Sequence, residues 1–588
     1  MDVHVVGDDP VRAAVTAAFD DVDSISVVPA SPADLSDARF GVVSDVVGAE
    51  TFTRANEAAL SGGTPWVAVE IGGVGGHALE GVDAAVSGLS AASGCFECLE
   101  ARVASTTANA DERPRANRSA ARLAGAIAGR ECIRLFSGDE PSILGQVREL
   151  PYARHTLHPV PGCSCQGPAK DGGRDRTLDR TDDDSLSLEA AVNRAELAID
   201  DRVGLIESIG ELESFPAPYY LATTADTSAY SDVQAPQQSA GVATDWNGAL
   251  MKAVGEGLER YCAGTYRDSD FVHACESELS NAVSPTALAR KEDSPTYDPE
   301  TEIRWVEATA LETGDRTYLP AAAVQFPQPG TAHVPSITTG LGLGSSTVDA
   351  LCSGLTEVLE RDATMLSWYS TFEPLGLEVE ADAFETLRKR ARSEGLETTA
   401  LLCTMDVDVP VVAVAVHRDL EVPTDEYDES WPHFAIGSAA GLDASAAAVG
   451  ALEEAVQNWM ELRSLGPEGA DEAGGAIGHY GSFPDEARQF VDVETSVAAE
   501  TVGPDPVPTG ADRLEALLTR ATDAGLTPYA ARLTTRDVEG IGFEAVRVVV
   551  PEAQPLFTGD PYFSDRAREV PESMGFKPRL ERAFHPYP

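Results

Sequence analysis

Short apolar runs alternate with small-residue stretches at the start of the chain. Val3-His4-Val5-Val6 stops at Gly7, which predicts a strand and a turn, and Val11 to Phe19 then follows with helical spacing. Trp66-Val67-Ala68-Val69-Glu70-Ile71 reads as a buried strand, and Ser119 to Phe136 reads as an amphipathic helix. This is an α/β pattern. Gly7-Asp8-Asp9-Pro10 is not G-x-G-x-x-G, so no dinucleotide site is expected there.

Residues 166–186 are rich in Gly and Asp and almost free of apolar side chains, which predicts a linker. The expected division is an N-terminal α/β docking domain over 1–165, the linker over 166–186, and a larger domain over 187–588. The Gly-, Glu- and Ala-rich stretch 465–475 reads as a surface loop. Mixed sheets and helices are expected throughout, giving an α/β (α+β) fold class.

Three segments of the larger domain share a pattern. Ala249 to Tyr261 carries Glu256, Glu259 and Arg260; Ala350 to Asp362 carries Glu357, Glu360 and Arg361; Val449 to Gln457 carries Glu454 and Gln457. Each reads as a helix on which residues three apart share a face. E-x-x-E by itself usually marks a solvated face. Here the acidic pairs sit among apolar neighbours, where they would be costly unless paired or bound to cations. Several carboxylate oxygens suit a hard divalent cation such as Mg²⁺, which also holds phosphates.

Charge narrows the function classes. The chain has 96 acidic and 43 basic residues, a net charge of -53. So acidic a surface, poor in Lys and spread along the whole chain, reads as adaptation to high salt, where self-repulsion is screened. A local acidic partner surface is the alternative. General nucleic-acid binding needs a basic footprint and is excluded. No apolar run is long enough to cross a bilayer and no signal segment stands at the N-terminus, so a cytoplasmic location is expected.

The nine cysteines do not read as a disulfide framework. Cys132, Cys262, Cys275, Cys352 and Cys403 are scattered and read as buried thiols. Gly94-Cys95-Phe96-Glu97-Cys98 and Gly162-Cys163-Ser164-Cys165 form two close pairs that suit a tetrahedral structural zinc. A redox C-x-x-C would leave the second pair unexplained.

The three helical motifs, E-x-x-E-R, E-x-x-E-R-D and E-x-x-Q, with the stretch Thr339-Gly340-Leu341-Gly342-Leu343-Gly344-Ser345-Ser346-Thr347 before the second, resemble the YcaO family over roughly 200–588. The resemblance implies an ATP site unlike a P-loop. Glu256, Glu259, Glu357, Glu360 and Glu454 would ligate magnesium, and Gln457 would contact nucleotide or metal. Arg260 and Arg361 would bind phosphate or orient the carboxylates. Arg547, in Val546-Arg547-Val548, resembles a family arginine near the nucleotide; an edge-strand arginine is the plain alternative. Two departures stand out: Gly241-Val242-Ala243-Thr244 lacks the lysine of a common Gly-Lys-Gly, and Trp459 stands where an arginine is frequent.

The ending Phe584-His585-Pro586-Tyr587-Pro588 is similar to the Pro-rich end of YcaO peptide cyclodehydratases, which reaches the active site. The cysteine pairs resemble the zinc region of proteins related to ubiquitin-activating enzymes, a domain found beside such cyclodehydratases. The resemblance implies ATP-dependent cyclization of Cys, Ser or Thr in a ribosomally made precursor peptide. His585 or the carboxylate of Pro588 would act as base. A flavin-dependent azoline oxidase and a second copy of the chain are expected partners. Thioamide formation and support of ribosomal-protein modification are the alternatives within the family, and a non-catalytic peptide-binding scaffold is the alternative outside it.

Overall fold

The computed structural model describes residues 1–588 except 21, 108–116, 167–173, 332, 419–430 and 473. The predicted N-terminal strands and helices form at Asp2–Val6, Val11–Phe19, Trp66–Ile71 and Arg118–Ser137. Asp2–Val6 pairs in parallel with Ser26–Pro29 and Gly41–Val46, and Trp66–Ile71 joins the latter in parallel. Ala84–Leu89, Gln146–Leu150 and Ala153–Thr156 then continue the same sheet antiparallel, making seven strands.

Trp66–Ile71 and Ala84–Leu89 are buried along their whole length, because helices cover both faces of the sheet. Val11–Phe19 and Arg118–Ser137 cover one face with Val11, Val15, Ala124 and Ala128. Glu50–Gly62 and Phe96–Thr106 cover the other with Phe52, Ala59, Phe96 and Leu99.

Among the described residues, the rest of the chain builds three further sheets, of three, six and five strands. The first seven residues of the predicted linker after Gln166 lie outside the described residues. The remainder runs along the strand Tyr529–Arg532 and its neighbours. Arg174, Arg176 and Arg180 donate to the carbonyls of Leu533, Arg532 and Leu311 at 3.1, 2.6 and 2.7 Å. A segment with few apolar side chains is thus held through guanidinium–carbonyl bonds.

Two sequence expectations need correction. Residues 467–471 are not loop: the backbone leaves helical geometry at Gly466, where φ is 70° and ψ 169°, and a second helical segment runs from Pro467 to Asp471. Cys275 is only half-buried, its thiol donating to the Glu300 carbonyl at 3.0 Å, whereas Cys132, Cys262, Cys352 and Cys403 are buried as expected.

Candidate active site

The three motif segments are helices at Trp246–Gly264, Thr347–Trp368 and Ala444–Asp471. Asp245, Ser346 and Asp443 cap their N-termini by accepting from Gly248, Asp349 and Ser445 backbone N–H groups. Each helix follows a strand: Gln238–Val242, Leu341–Gly344 and Phe434–Ala440 respectively.

A glycine in each strand lets its helix lie close. A methyl group at Gly241, Gly342 or Gly437 would strike the helix backbone at Ala249, Ala350 or Ala451. The contact has the same consequence three times. Glu256 accepts from Ala240 N–H at 2.8 Å, Glu357 from Gly340 N–H at 2.9 Å, and Glu454 from Ser438 N–H at 2.5 Å. The recurring motif is therefore a recurring strand–helix unit, with its first glutamate fixed by the preceding backbone.

The units direct their acidic faces at one another. Burial raises Glu259 to about 8, and the Glu357 and Glu256 charges add to the effect. Burial likewise raises Glu360 to about 7, with Glu454 and Glu357 adding, although Arg361 and the Ser438 hydroxyl at 2.7 Å oppose it. Glu357 is raised for the same reason.

Three guanidinium groups stand against these acids. Arg260 pairs with Glu256 at 2.7 Å. Arg361 lies 3.5 Å from both Glu360 and Glu454 and 4.0 Å from Glu357. Arg547, on the strand Glu544–Val549, donates to the Thr338 and Ile337 carbonyls at 2.7 and 2.9 Å. Burial pushes Arg547 down to about 10, against the pull of Glu357 and Glu259. All the helical carboxylates singled out from the sequence, with Arg361 and Arg547, thus share one electrostatic site.

Glu461 was not foreseen. It accepts from Gln457 at 3.0 Å and from Tyr219 at 3.1 Å; burial raises it, and the Glu256 and Glu454 charges contribute. It lies four residues beyond Gln457 on the same helix face, so helical spacing alone could have found it. Lys252 was also missed. It lies one turn before Glu256 and pairs with Glu453 at 2.6 Å, while Glu453 also accepts from the Thr244 N–H and hydroxyl. Trp459 is buried, with its indole N–H on the Pro432 carbonyl and Arg463 over its ring. Asp362, the last residue of E-x-x-E-R-D, turns away to accept from Arg566 and the Gln554 N–H.

The donor set fits magnesium and phosphate. Six carboxylates face three guanidinium groups, and hard cations take such oxygens. Among the described residues the buried Arg547 Nε has no hydrogen-bond partner, and Arg361 Nη1 has only the 3.5 Å ion pair with Glu360, which leaves donor capacity for anionic oxygens.

The tail docks onto the C-terminal end of the second motif helix. Trp368 N–H and the Tyr480 hydroxyl donate to the Ala583 and Phe584 carbonyls. His585 is fully buried and donates its Nε2–H to the Phe557 carbonyl at 2.7 Å. Burial pushes the ring down to about 4, and the nearby Arg361 charge acts in the same direction. Tyr587 is buried, and Pro588 is half-buried.

The four paired cysteines converge. Cys95 and Cys98 open the helix Phe96–Thr106, and Cys163 and Cys165 come from the loop after Ala153–Thr156. The Sγ separations are 3.9 Å for Cys95–Cys98, 3.5 Å for Cys95–Cys163 and 3.6 Å for Cys98–Cys165. A zinc tetrahedron with Zn–S of about 2.3 Å has sulfur edges of about 3.8 Å, so the four thiols fit that ion. Val160 N–H and Arg536 Nη1 each lie 3.3 Å from a sulfur, Cys98 and Cys165 respectively.

Comparison with known proteins places this geometry. A family described as YcaO cyclodehydratase, ATP- and Mg²⁺-binding, matches residues 240–554. An uncharacterized protein of Methanothermobacter thermautotrophicus is 26% identical over 340 residues, 53% of this chain and 80% of its own. A heterocyclase solved in complex with substrate and cofactor has a TM-score of 0.74 at 18% identity, covering 100% of this chain and 85% of that one. The heterocyclase TruD has a TM-score of 0.60 at 17% identity, covering 98% and 81%. A YcaO protein of Methanopyrus kandleri, bound with AMPPCP and Mg²⁺, has a TM-score of 0.50 at 23% identity, covering 64% and 95%. These structural likenesses are likenesses of fold.

Proposed function

This chain belongs to the YcaO family, and from that premise we propose that it uses ATP to activate a peptide backbone amide, cyclizing Cys, Ser or Thr to an azoline. The observation that carries the reading is the convergence of three strand–helix units on six carboxylates, beside the buried guanidinium groups of Arg361 and Arg547.

In this reaction the thiol or hydroxyl of the peptide attacks the preceding carbonyl carbon and loses its proton to a base. The carbonyl electron pair becomes an oxyanion, which attacks the γ-phosphorus of ATP and expels ADP. The nitrogen lone pair then expels phosphate, carrying away the former carbonyl oxygen, and loss of the N–H proton leaves a C=N bond in the ring. No oxidant is consumed.

Glu256, Glu259, Glu357, Glu360 and Glu454 would hold magnesium, which supplies charge neutralization for the phosphates. Arg361 and Arg547 would donate to the same phosphates, and Arg260 orients Glu256. Gln457, which donates to Glu461, would contact the nucleotide. With its Nε2–H committed and its ring hard to protonate, His585 positions the tail. The proton would pass to a group carried by the docked tail. Zinc at Cys95, Cys98, Cys163 and Cys165 would fix the docking domain against the catalytic one.

Calorimetry with ATP in molar KCl tests the reading. Magnesium-dependent binding by the wild type, lost in Glu357→Gln, is the expected result. No binding by a folded wild type would replace the enzyme with a peptide-binding scaffold.

A further inference from the structure

Glu454, Gln457 and Glu461 follow one another at helical spacing, so they share one face of the third motif helix. The E-x-x-Q motif ends at Gln457, and Glu461 lies one turn beyond it. A single oxygen of Glu461, Oε1, accepts twice: from Gln457 Nε2 at 3.0 Å and from the Tyr219 hydroxyl at 3.1 Å. Tyr219 is 8% exposed and stands opposite Val242, the last residue of the strand that leads into the first motif helix. Glu461 therefore ties the third strand–helix unit to the first. It feels the charges of Glu256 from the one and Glu454 from the other.

Its partners decide how the Gln457 amide is turned. Burial raises Glu461, and the bonds from Gln457 and Tyr219 oppose the rise by favouring the ionised form. Burial and the Glu461 charge push the Tyr219 phenol up, so the hydroxyl keeps its proton and stays a donor. An ionised carboxylate can only accept, so the end of Gln457 that meets it is the N–H end. The two ends of a side-chain amide point apart, which turns Gln457 Oε1 away from Glu461. An amide oxygen is a neutral ligand suited to a hard cation.

We propose that Glu461 is a positioning residue for magnesium: anchored by Tyr219, it holds the Gln457 amide so that Oε1 joins Glu454 on the ion. Gln457 then meets the nucleotide through its magnesium. The proposal rests on the magnesium–ATP reading above. Glu461 is not itself a ligand; it fixes which end of the amide faces the metal. Without that bond the amide can turn its N–H into the site, where it repels a cation.

The test separates reach from charge. Glu461→Asp keeps the charge and shortens the side chain, so the bond to Gln457 is lost. Calorimetry of the full chain with AMPPCP and Mg²⁺ in molar KCl should show about tenfold weaker binding than wild type. The unfolding temperature in EDTA should stay within about 2 °C. Gln457→Glu combined with Glu461→Gln keeps the hydrogen bond with donor and acceptor exchanged and leaves an oxygen for the ion. This pair should return affinity to within about threefold of wild type. Tyr219→Phe removes only the anchor and should weaken binding about threefold. It decides by the same two readouts if Glu461→Asp fails to fold. Three results each overturn the assignment: wild-type affinity in Glu461→Asp, no recovery in the exchanged pair, or an unfolding temperature in EDTA that falls together with affinity. Failure of the wild type to bind AMPPCP at any Mg²⁺ concentration would instead sink the ATP reading.

Discussion

Arg102 and Asp537 form a fully buried ion pair that joins the helix Phe96–Thr106, packed on the seven-stranded sheet, to the helix Arg536–Ile541. Arg102 lies one turn after Cys98 on the helix Phe96–Thr106, and Asp537 belongs to Arg536–Ile541. Asp537 also accepts from the Tyr261 hydroxyl at 2.6 Å, and Tyr261 directly follows Glu259 and Arg260. Its neighbour Arg536 donates to Cys165 and to the Ala91 carbonyl. One dipeptide thus ties the cysteine cluster to the first motif helix.

Removing one partner leaves a buried charge uncompensated. Arg102→Met should destabilize the protein by about 3–5 kcal/mol. The double variant with Asp537→Asn should lose less than the sum of the single losses. Denaturant unfolding at fixed salt checks this, and additive losses would show that the pair is not coupled.

The cysteine cluster predicts metal content. The purified protein should carry one zinc per chain by mass spectrometry, and Cys98→Ser or a strong chelator should remove it. Loss of zinc should expose the junction around Arg102 to proteolysis. A cluster that holds no zinc when purified with the metal present would count against the tetrathiolate.

His155 makes the contact between the strand Ala153–Thr156 and Asp200 pH-dependent. Burial alone would lower its pKa, but hydrogen bonds and charges from Asp200 and Glu149 overturn this and raise it to about 9. The imidazolium therefore contributes stability that is fully present below the unfolded value of about 6.5. That contribution is lost as pH rises through about 9. The stability gap between wild type and His155→Gln, measured by thermal unfolding, should narrow between about pH 6.5 and 9.5. A gap constant across that window would refute the assignment.

The tail separates binding from turnover. Deleting residues 584–588 should leave magnesium–ATP binding in place and reduce peptide-dependent ADP release by about a hundredfold or more, the usual contribution of a positioned base. The comparison needs calorimetry and a phosphate-release assay on the same folded sample. Equal turnover with and without the tail would remove it from the mechanism.

Much of this was legible in the chain. Apolar periodicity located Val11–Phe19, Trp66–Ile71 and the three motif helices, because burying one face forces that spacing. Repeated acidic pairs among apolar residues marked the site, since such charges must find cations. Spacing within a helix also made Glu256 and Glu259, or Glu357 and Glu360, partners before any tertiary contact was known.

Which helices face one another is a different matter, because the sequence carries no signal for distances between residues two hundred positions apart. Packing alone decided that Arg547 reaches Glu357 and Glu259, and that Asp362 turns away to Arg566. Packing likewise decided that Arg102 meets Asp537 across 435 residues of chain. Local periodicity is written residue by residue, whereas a shared site is formed by faces that meet only once the whole core closes.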